Sequence, residues 1–452
     1  MERRYRRVMR RPAAWLVIGA VVAGSCLAGY GAPQPAIPEA KTGSVIFYHV
    51  DGAGIAHWQM ARMVLAGPDG DINWDRLPHT AVYRGHAEDV LTPSSNAGAT
   101  MHAYGVKAPH RAFGTDAEGQ PPLAPSGQRR SIMQEAQARG IAVGLVNSGS
   151  ATEPGTAVFA TSVAERDACE EIVSQLVASG VEVLFGGGEK WFLPAGMEGR
   201  HGKGERQDGR NLVQEAEAAG YRVVYTREEM FALPAEGGKV LGIFAWEDTF
   251  NDETEEVLAE KGLEPYDAAA PTLAEMTEVA LRLLGGRQFL LVVEEEGTDN
   301  FGNCNNATGT LEALRRADEG LGVALDYVEK HPDTLLLTCA DSEAGAPDVV
   351  GLRGANYEKP LLEEGKDSNG APVDGAECRP EGGVAQPFVS APDRAGKAHE
   401  FVVVWATRMD ASGGIVARAA GLNADQVRGT FDNTAVYPLF YETLFGAAPV
   451  KE

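Results

Sequence analysis

Short apolar runs alternate with longer amphipathic stretches along the chain from Gly43 onward. The runs are rich in Val, Ile, Leu and Phe, which is typical of strands that are buried on both faces of a sheet. The stretches between them carry apolar residues at helical spacing. This alternation predicts an α/β fold with a mostly parallel central sheet and helices on both faces.

Individual elements can be assigned from the same pattern. The candidate strands are SVIFYHV, IAVGLVN, VEVLFG, RVVY, VLGIFA, QFLLVVEE, TLLLTCA and EFVVVWA. The candidate helices cover residues 131–139, 165–178, 211–219, 272–284, 307–329 and 434–444. Residues 345–398 have little periodicity and many Gly and Pro residues, so we expect a loop-rich insertion there, within one domain over residues 43–452.

The N-terminus has the order of charge and hydrophobicity that is typical of a secretory signal peptide. Six arginines precede an apolar run from Ala13 to Ala23, which is too short to cross a bilayer comfortably. We therefore predict a signal peptide over residues 1–25. Cys26 follows a sequence that resembles a lipoprotein cleavage site, so a lipid anchor and ordinary cleavage near Gly31 are alternatives. The expected location is outside the cytoplasm: periplasmic, anchored as a lipoprotein, or secreted.

The charge balance excludes one class of partner. The chain has 64 acidic and 40 basic residues, and its net charge is −24. A protein of this sign repels a phosphate backbone, so we expect no nucleic-acid partner. The 44% hydrophobic and 23% charged residues are those of a folded soluble protein.

Cysteine usage does not indicate a zinc ribbon, because no two cysteines have CxxC spacing. Apart from Cys26 there are four cysteines, which are Cys169, Cys304, Cys339 and Cys378. We expect structural cysteines, buried or paired in disulfides, and the sequence leaves the pairing open.

Acidic residues recur where candidate strands end. Asp51 follows the first strand, Glu294 and Asp341 end two others, and Asp299 lies shortly after Glu294. Ligands of parallel sheets bind at the carboxyl ends of the strands. Carboxylates that meet there repel one another unless cations neutralise them, so the pattern predicts a site for divalent cations. The alternative is that each acid caps a helix or lies in solvent.

A Ser-Ser-Asn triplet precedes a run of small residues that should begin a helix. Ser94, Ser95 and Asn96 would face the free N–H groups of that helix, which suit an anionic ligand. Taken alone, such a triplet is more often an N-cap than a nucleophile.

The order of these segments resembles the alkaline phosphatase family over most of residues 43–446. VDGAG at 50–54 is similar to the metal-binding turn of that family, and SSNAGATMHAYGVK resembles its nucleophile segment. Counting back from Gly105 places Ser95 on the nucleophilic serine. The resemblance implies the three-layer α/β sandwich of that family.

Further segments extend the resemblance. GSATEPGTAVFATSVAERD is similar to the segment that carries a magnesium-shell acid and, thirteen residues later, a phosphate-binding arginine. Here these residues would be Glu153, with Thr156 beside it, and Arg166. VVEEEGTDN and TCADSEAG resemble the segments that carry metal-binding acids, which places Glu294, Asp299 and Asp341 in those roles.

The histidines of the family's metal segments are replaced in this chain. Asn303 and Ser342 stand at two histidine positions, and ungapped alignment puts Lys397, rather than His399, on the third. The implied metal ligands are Asp51, Glu153, Thr156, Glu294, Asp299, Asn303, Asp341 and Ser342. Oxygen ligands suit Mg²⁺, Ca²⁺ and Mn²⁺, whereas zinc favours nitrogen and sulfur.

We therefore expect divalent cations, with Mg²⁺ first and with Zn²⁺, Ca²⁺ or Mn²⁺ open at the paired site. His49, His102 and His399 are candidates for a replacement ligand, although such histidines are more often packing residues.

The resemblance implies an exported, metal-dependent phosphatase that hydrolyses small-molecule phosphate monoesters through a phosphoserine on Ser95. Arg166 would hold the non-transferring phosphate oxygens, and Asn96 would donate a further hydrogen bond to them. Two alternatives stay open: a non-catalytic homologue that binds metal or phosphate, and a phosphodiesterase or sulfatase-type hydrolase of the same superfamily. The sequence also leaves a homodimer open.

Overall fold

The computed structural model describes residues 41–235, 238–352, 365–366, 373–375 and 387–449. The strands within these residues are β1 Ser44–Val50, β2 His79–Arg84, β3 Ala142–Ser150, β4 Val183–Gly187, β5 Tyr221–Val224, β6 Lys239–Ile243, β7 Phe289–Glu295, β8 Thr334–Cys339, β9 Glu343–Ala344, β10 Pro347–Gly351, β11 Val373–Asp374, β12 Phe388–Val389, β13 Glu400–Trp405, β14 Asp410–Ala411, β15 Val416–Gly421 and β16 Gly429–Asp432.

A ten-stranded sheet forms the centre of the molecule, in the order β16-β2-β15-β8-β1-β7-β3-β4-β6-β5. The seven strands from β8 to β5 in this order are parallel. β15 runs antiparallel to both of its neighbours, and β16 is parallel to β2. The prediction of an α/β fold with a mostly parallel central sheet is therefore confirmed.

Thirteen α-helices lie within the described residues, and six of them lie close to the positions that the periodicity predicts. Their bounds are α1 Ile55–Leu65, α2 Ser95–Tyr104, α3 Ile132–Ala138, α4 Pro154–Ala157, α5 Cys169–Ser179, α6 Glu189–Phe192, α7 Leu212–Ala218, α8 Arg227–Phe231, α9 Glu255–Lys261, α10 Leu273–Leu284, α11 Gly297–Asn303, α12 Ala307–Lys330 and α13 Val436–Phe445. α10 shows why the bounds agree: the Thr272 side chain accepts a hydrogen bond from the Glu275 N–H and so caps the helix.

Helices cover both faces of the central sheet. Alternate side chains of β1 point to opposite faces, and all are buried. Val45 and Phe47 pack in a cluster that includes residues of α2, α3, α5 and α13. Ile46 and Tyr48 pack in a second cluster, with α1, α10 and α12. The sheet between these two clusters is the middle of three layers.

One candidate strand was assigned to the wrong sheet. EFVVVWA is strand β13, which lies in a separate antiparallel sheet with β10, β11 and β12. These partners come from the segment 345–398, so its described parts contain short strands as well as loop. Phe401, Val403 and Trp405 bury against the same cluster as α1, which explains why the run is as apolar as a central strand.

The predicted signal peptide, Cys26 and Cys378 lie outside the described residues. Cys169, Cys304 and Cys339 are free thiols, and only Cys339 is buried. Within the described ranges, no helix has both the length and the apolar character needed to cross a membrane.

Candidate metal centre

Strand register brings three polar side chains side by side at the carboxyl edge of the sheet. Glu294 on β7 is in register with His49 on β1 and with Asn147 on β3. His49 Nδ1 lies 3.0 Å from Glu294 Oε1, and Asn147 Nδ2 donates to Glu294 Oε2. All three residues are buried, so the Glu294 carboxylate is fixed from both sides.

Asp51 and Asp341 lie at the same edge, directly after β1 and β8. His49 is in register with Cys339, and each acid follows two residues later. All four carboxylate oxygens of the two acids are buried and lack a hydrogen-bond partner, as does Ser342 Oγ. Buried polar atoms without partners carry a large desolvation cost. Their convergence fits a ligand set for cations.

A second group of acids lies beside this pair. Asp299 and Asn303 are four residues apart on α11, which places them on one face of the helix. Asn303 Nδ2 donates to both Asp299 oxygens, at 3.2 and 3.1 Å, and to Asp410 Oδ1 at 3.0 Å. The Asn303 amide thus bridges two carboxylates through its nitrogen, while its oxygen accepts from the Gly345 N–H.

Asp410 was not predicted, and it lies beside Asn303. Neither Lys397 nor His399 joins the acids: both are exposed, and His399 Nε2 lies 2.9 Å from Asp393 Oδ2. Strand β14 positions Asp410, because β14 pairs with β9 and places Asp410 opposite Ala344. The only sequence signal is an acid ahead of the glycine pair in MDASGG.

Thr156 is linked to Glu294 through Asn147, and Arg166 pairs with Glu153. Glu153 Oε2 accepts a hydrogen bond from Arg166 Nη2 at 3.1 Å, and Thr156 Oγ1 accepts one from Asn147 Nδ2 at 2.9 Å. Burial raises the pKa of Glu153 to about 7, although Arg166 acts to lower it. The Arg166 side chain is 46% exposed, so its guanidinium can be reached from solvent.

Glu296 is a second site residue that sequence reasoning did not single out. It is 1% exposed, and its Oε2 atom has no hydrogen-bond partner. Burial raises its pKa well above the usual range, and the charges of Glu153 and Asp51 raise it further. The Glu-Glu-Glu triplet that ends β7 was the available signal.

The N-terminus of α2 lies against the metal-binding edge. Ser94 is the N-cap, with its side chain accepting from the Ala97 N–H at 3.4 Å. Ser95 and Asn96 therefore stand in the first turn, 2% and 4% exposed. Gly98 contacts Asp341 closely: a Cβ atom at this glycine would lie 2.5 Å from Asp341 Oδ2.

Gly98→Ala is expected to weaken cation binding. Ala is the better helix former by about 1 kcal/mol, but here its methyl group would displace the Asp341 carboxylate. We expect at least about a tenfold rise in the metal dissociation constant, measured by competition with a chelator. Gly286→Ala is the control, because nothing lies within 4 Å of its Cβ position. Equal metal affinity in both variants would contradict the close packing.

The electrostatics of the whole group require positive charge. Burial raises the pKa of Asp341, and Asp51 raises it further. Burial likewise raises the pKa of Asp299, with Asp410 as the next cause. Arg166 is a cation that lowers the pKa of both Asp299 and Asp410. Several carboxylates held together in this way fit divalent cations with oxygen ligands.

Comparisons with known proteins show the family and the fold of the chain. The profile of the family described as alkaline phosphatase matches residues 42–440. The chain is 29% identical to streptomycin-6-phosphate phosphatase of Streptomyces griseus over 72% of this chain and 79% of that protein. It is 27% identical to the alkaline phosphatase of Escherichia fergusonii, over 68% and 72%. A solved structure of a variant of TAB5 alkaline phosphatase, with Mg bound, has a TM-score of 0.65 at 20% identity and covers 89% of this chain and 98% of its own.

Proposed function

Because the chain belongs to the alkaline phosphatase family, whose members are phosphoric monoester hydrolases, we propose that it is an exported, metal-dependent phosphomonoesterase that acts through a phosphoserine on Ser95. One observation carries the proposal: the four unpartnered carboxylate oxygens of Asp51 and Asp341 lie beside the helix that begins at Ser95. The helix of the proposed nucleophile thus packs against one of the proposed cation ligands, Asp341.

The residues at this edge divide into three ligand groups for divalent cations. Asp51, Asp341 and Ser342 form one group, and Asp299, Asn303 and Asp410 form another. Asp51, Glu153, Thr156 and Glu294 form a third, magnesium-like group. Bound cations would neutralise the acids, lower the pKa of the attacking hydroxyl and stabilise charge on the phosphoryl oxygens.

Ser95 is the nucleophile in this proposal. Its oxygen attacks phosphorus, the bond from phosphorus to the alcohol oxygen breaks, and the alcohol leaves after gaining a proton. Water then attacks the phosphoserine, which releases inorganic phosphate and restores the Ser95 hydroxyl. Asn96, in the same helical turn, donates a hydrogen bond to the phosphoryl group.

Arg166 binds the phosphate oxygens that are not transferred. Its planar guanidinium suits two oxygens of a doubly charged monoester, and the side chain is 46% exposed. The ion pair with Glu153 holds the guanidinium in position before substrate binds. This contact favours monoesters over phosphodiesters and sulfate esters, which carry less charge.

The proposal is tested by turnover of matched aryl esters with each cation in turn. Purified protein, stripped of metal, is loaded with Mg²⁺, Mn²⁺, Ca²⁺ or Zn²⁺ and assayed with an aryl phosphate, its diester and its sulfate. Monoester hydrolysis that depends on an added cation is the expected result. Phosphate binding without turnover under every cation would establish the non-catalytic alternative, and a diester preference would establish a phosphodiesterase.

The replaced histidines predict a change of metal preference. Asp410→His combined with Ser342→His adds one nitrogen donor to each of the two paired cation groups. Since zinc favours nitrogen donors, we expect its dissociation constant to fall by about tenfold or more while that of Mg²⁺ rises. Chelator competition measures both constants. His399→Gln, a change at an exposed histidine bonded to Asp393, should alter neither of them.

An acidic cleft beside Glu153 supports a more specific substrate class. Its volume is about 910 Å³. The carboxylates that line it are Glu153, Glu247, Asp248, Asp252, Glu253, Glu264 and Asp267. The wall of the cleft also contains the aromatic residues Trp246, Phe250 and Tyr266, and aromatic rings suit alkylated cations. We propose that the alcohol part of the substrate carries positive charge.

A cationic substrate should therefore have the lower KM. We expect an aryl phosphate with a trimethylammonium group to show a KM about fivefold below that of its uncharged analogue at low ionic strength. The advantage should disappear at high salt and in the Asp248→Asn, Asp252→Asn double variant. Asp326→Asn, on the exposed surface of α12, should preserve it. Equal KM values for the two esters in the unaltered protein would contradict this substrate class.

A further inference from the structure

The His49 imidazole lies close to two of the buried acids, Glu294 and Asp341. The residue is fully buried at the end of β1. Its Nδ1 atom lies 3.0 Å from Glu294 Oε1, and its Nε2 atom lies 3.9 Å from Asp341 Oδ1. His49, Asp51 and Glu294 each offer a potential ligand atom, and these atoms lie within 4.8 Å of one another. The imidazole is therefore part of the acidic group and not only of the core.

The hydrogen bond to Glu294 determines which ring nitrogen carries the proton. Glu294 receives a hydrogen bond from Asn147 on its other oxygen, so both oxygens serve as acceptors. When Glu294 is ionised, its carboxylate can only accept, and the His49 proton then lies on Nδ1. Nε2 then presents a lone pair, is buried, and has no hydrogen-bond partner. Metal-binding histidines commonly donate their second nitrogen to a carboxylate in this way.

The groups around His49 Nε2 are acceptors, so a cation is the partner that suits its lone pair. The Asp341 and Asp51 oxygens are themselves unpartnered acceptors, so they cannot donate to the imidazole when ionised. Phe47 and His102 pack around the ring, with ring centroids 5.7 and 5.6 Å away, and keep its orientation fixed. A separation of 3.9 Å between Nε2 and Asp341 Oδ1 is compatible with two ligands of one ion, at about 2.0–2.2 Å each.

We infer that His49 Nε2 is a ligand of the divalent cation that Asp51 and Asp341 hold, which gives this cation a mixed nitrogen and oxygen ligand set. The inference rests on the cation site of the proposed function. It distinguishes the two paired cations chemically, since the group of Asp299, Asn303 and Asp410 offers only carboxylate and amide donors. The cation at His49 should be one that favours imidazole, such as Zn²⁺, rather than Ca²⁺.

Two substitutions of His49 separate a role as metal ligand from a role as hydrogen-bond partner of Glu294. His49→Asn keeps a donor near the place of Nδ1, and so keeps a hydrogen bond to Glu294, but has no atom in the place of Nε2. His49→Gln reaches the place of Nε2 with an amide and gives up the Nδ1 contact. His102→Gln is the matched control, because it removes the neighbouring buried imidazole while its amide still reaches Tyr83, which lies 2.6 Å from His102 Nε2.

The readout is pulsed electron paramagnetic resonance of the full chain loaded with Mn²⁺. We expect coupling to a histidine nitrogen in the unaltered protein and in His102→Gln, and its loss in both His49 variants. The dissociation constant of Zn²⁺, from chelator competition, should rise by about tenfold or more in His49→Asn. Nitrogen coupling that persists in the His49 variants would overturn the inference.

The outcomes for the inference and for the proposed function are distinguishable. Stoichiometric Mn²⁺ binding without nitrogen coupling in the unaltered protein would overturn the role of His49 and leave the phosphatase proposal intact. Absence of bound metal under all conditions would overturn both. Nitrogen coupling in a protein without turnover would support His49 as a ligand and contradict only the catalytic proposal.

Discussion

Ser95→Ala is expected to reduce turnover of an aryl phosphate by roughly 10³-fold or more while the protein stays folded. The substitution removes the proposed nucleophile and leaves the cap of α2 in place, because Ser94 provides that cap. Labelled phosphate should no longer become attached to the protein when the reaction is quenched with acid. Turnover and quench labelling are measured on the same metal-loaded preparation.

Ser94→Ala is the matched control, one residue away. Loss of the N-cap should lower the free energy of unfolding by about 1 kcal/mol, since the Ala97 N–H loses its side-chain acceptor. Phosphoserine labelling should persist in this variant. The two serines thus have opposite expected profiles: Ser94 affects stability, and Ser95 affects chemistry. Labelling that survives in Ser95→Ala would refute the assignment of the nucleophile.

Removal of the bound cations at pH 8 should lower the melting temperature by about 5–10 °C. Without cations, the acids of the metal centre repel one another in a buried place, with few compensating charges. Each cation present at a hundred times its dissociation constant stabilises the fold by about 2.7 kcal/mol. Melting with excess Mn²⁺ and with a chelator measures the difference, and equal melting temperatures at pH 8 would contradict the cation site.

The difference in melting temperature between the metal-loaded and the metal-free protein should shrink as the pH falls. Burial raises the pKa of Glu153 to about 7, from an ordinary value of 4.5, and raises that of Asp341 as well. A raised carboxyl pKa stabilises the metal-free fold below the ordinary value, and this stabilisation is lost as the pH rises through about 7. Melting of the chelated protein should therefore become easier between pH 5 and pH 8.

Asp51→Asn is the control for this effect. The variant has one charge fewer in the metal-free protein, so at pH 8 it should be more stable than the unaltered metal-free protein, by about 1 kcal/mol. Added Mn²⁺ should raise its melting temperature much less. A metal-free variant that is less stable than the unaltered chain would indicate that Asp51 supports the fold by another contact.

The strand-end acids could be placed from the sequence because the geometry of a parallel sheet is restrictive. Asp51, Glu294 and Asp341 each follow an apolar run, and parallel runs end at one edge. The structure places all three there, in neighbouring strands. The alternation of side chains also accounts for Glu295, which points to the opposite face and accepts hydrogen bonds from Ser148 and Tyr266.

Asp410 could not be found in the same way. The apolar run of β13 was taken as part of the last ligand segment, with Lys397 just ahead of it on the third histidine position, but β13 belongs to the separate antiparallel sheet. Asp410 instead lies beyond β13, in a strand of two residues, which is too short to produce a pattern. Glu296 was missed because it lies beyond the last residue of β7, where strand alternation no longer predicts orientation.

The two-residue ladder between β9 and β14 has a consequence for how this chain can be altered. It holds Asp410 opposite Ala344, so the chain leaves the candidate metal centre after Ala344 and returns to it at Asp410. Closing a longer excursion between two anchored ends costs little more free energy than closing a short one. The exposed turn from Arg394 to Lys397, which lies between β12 and β13 inside this excursion, is therefore a suitable place to graft a tag or a second domain while both anchoring residues keep their positions.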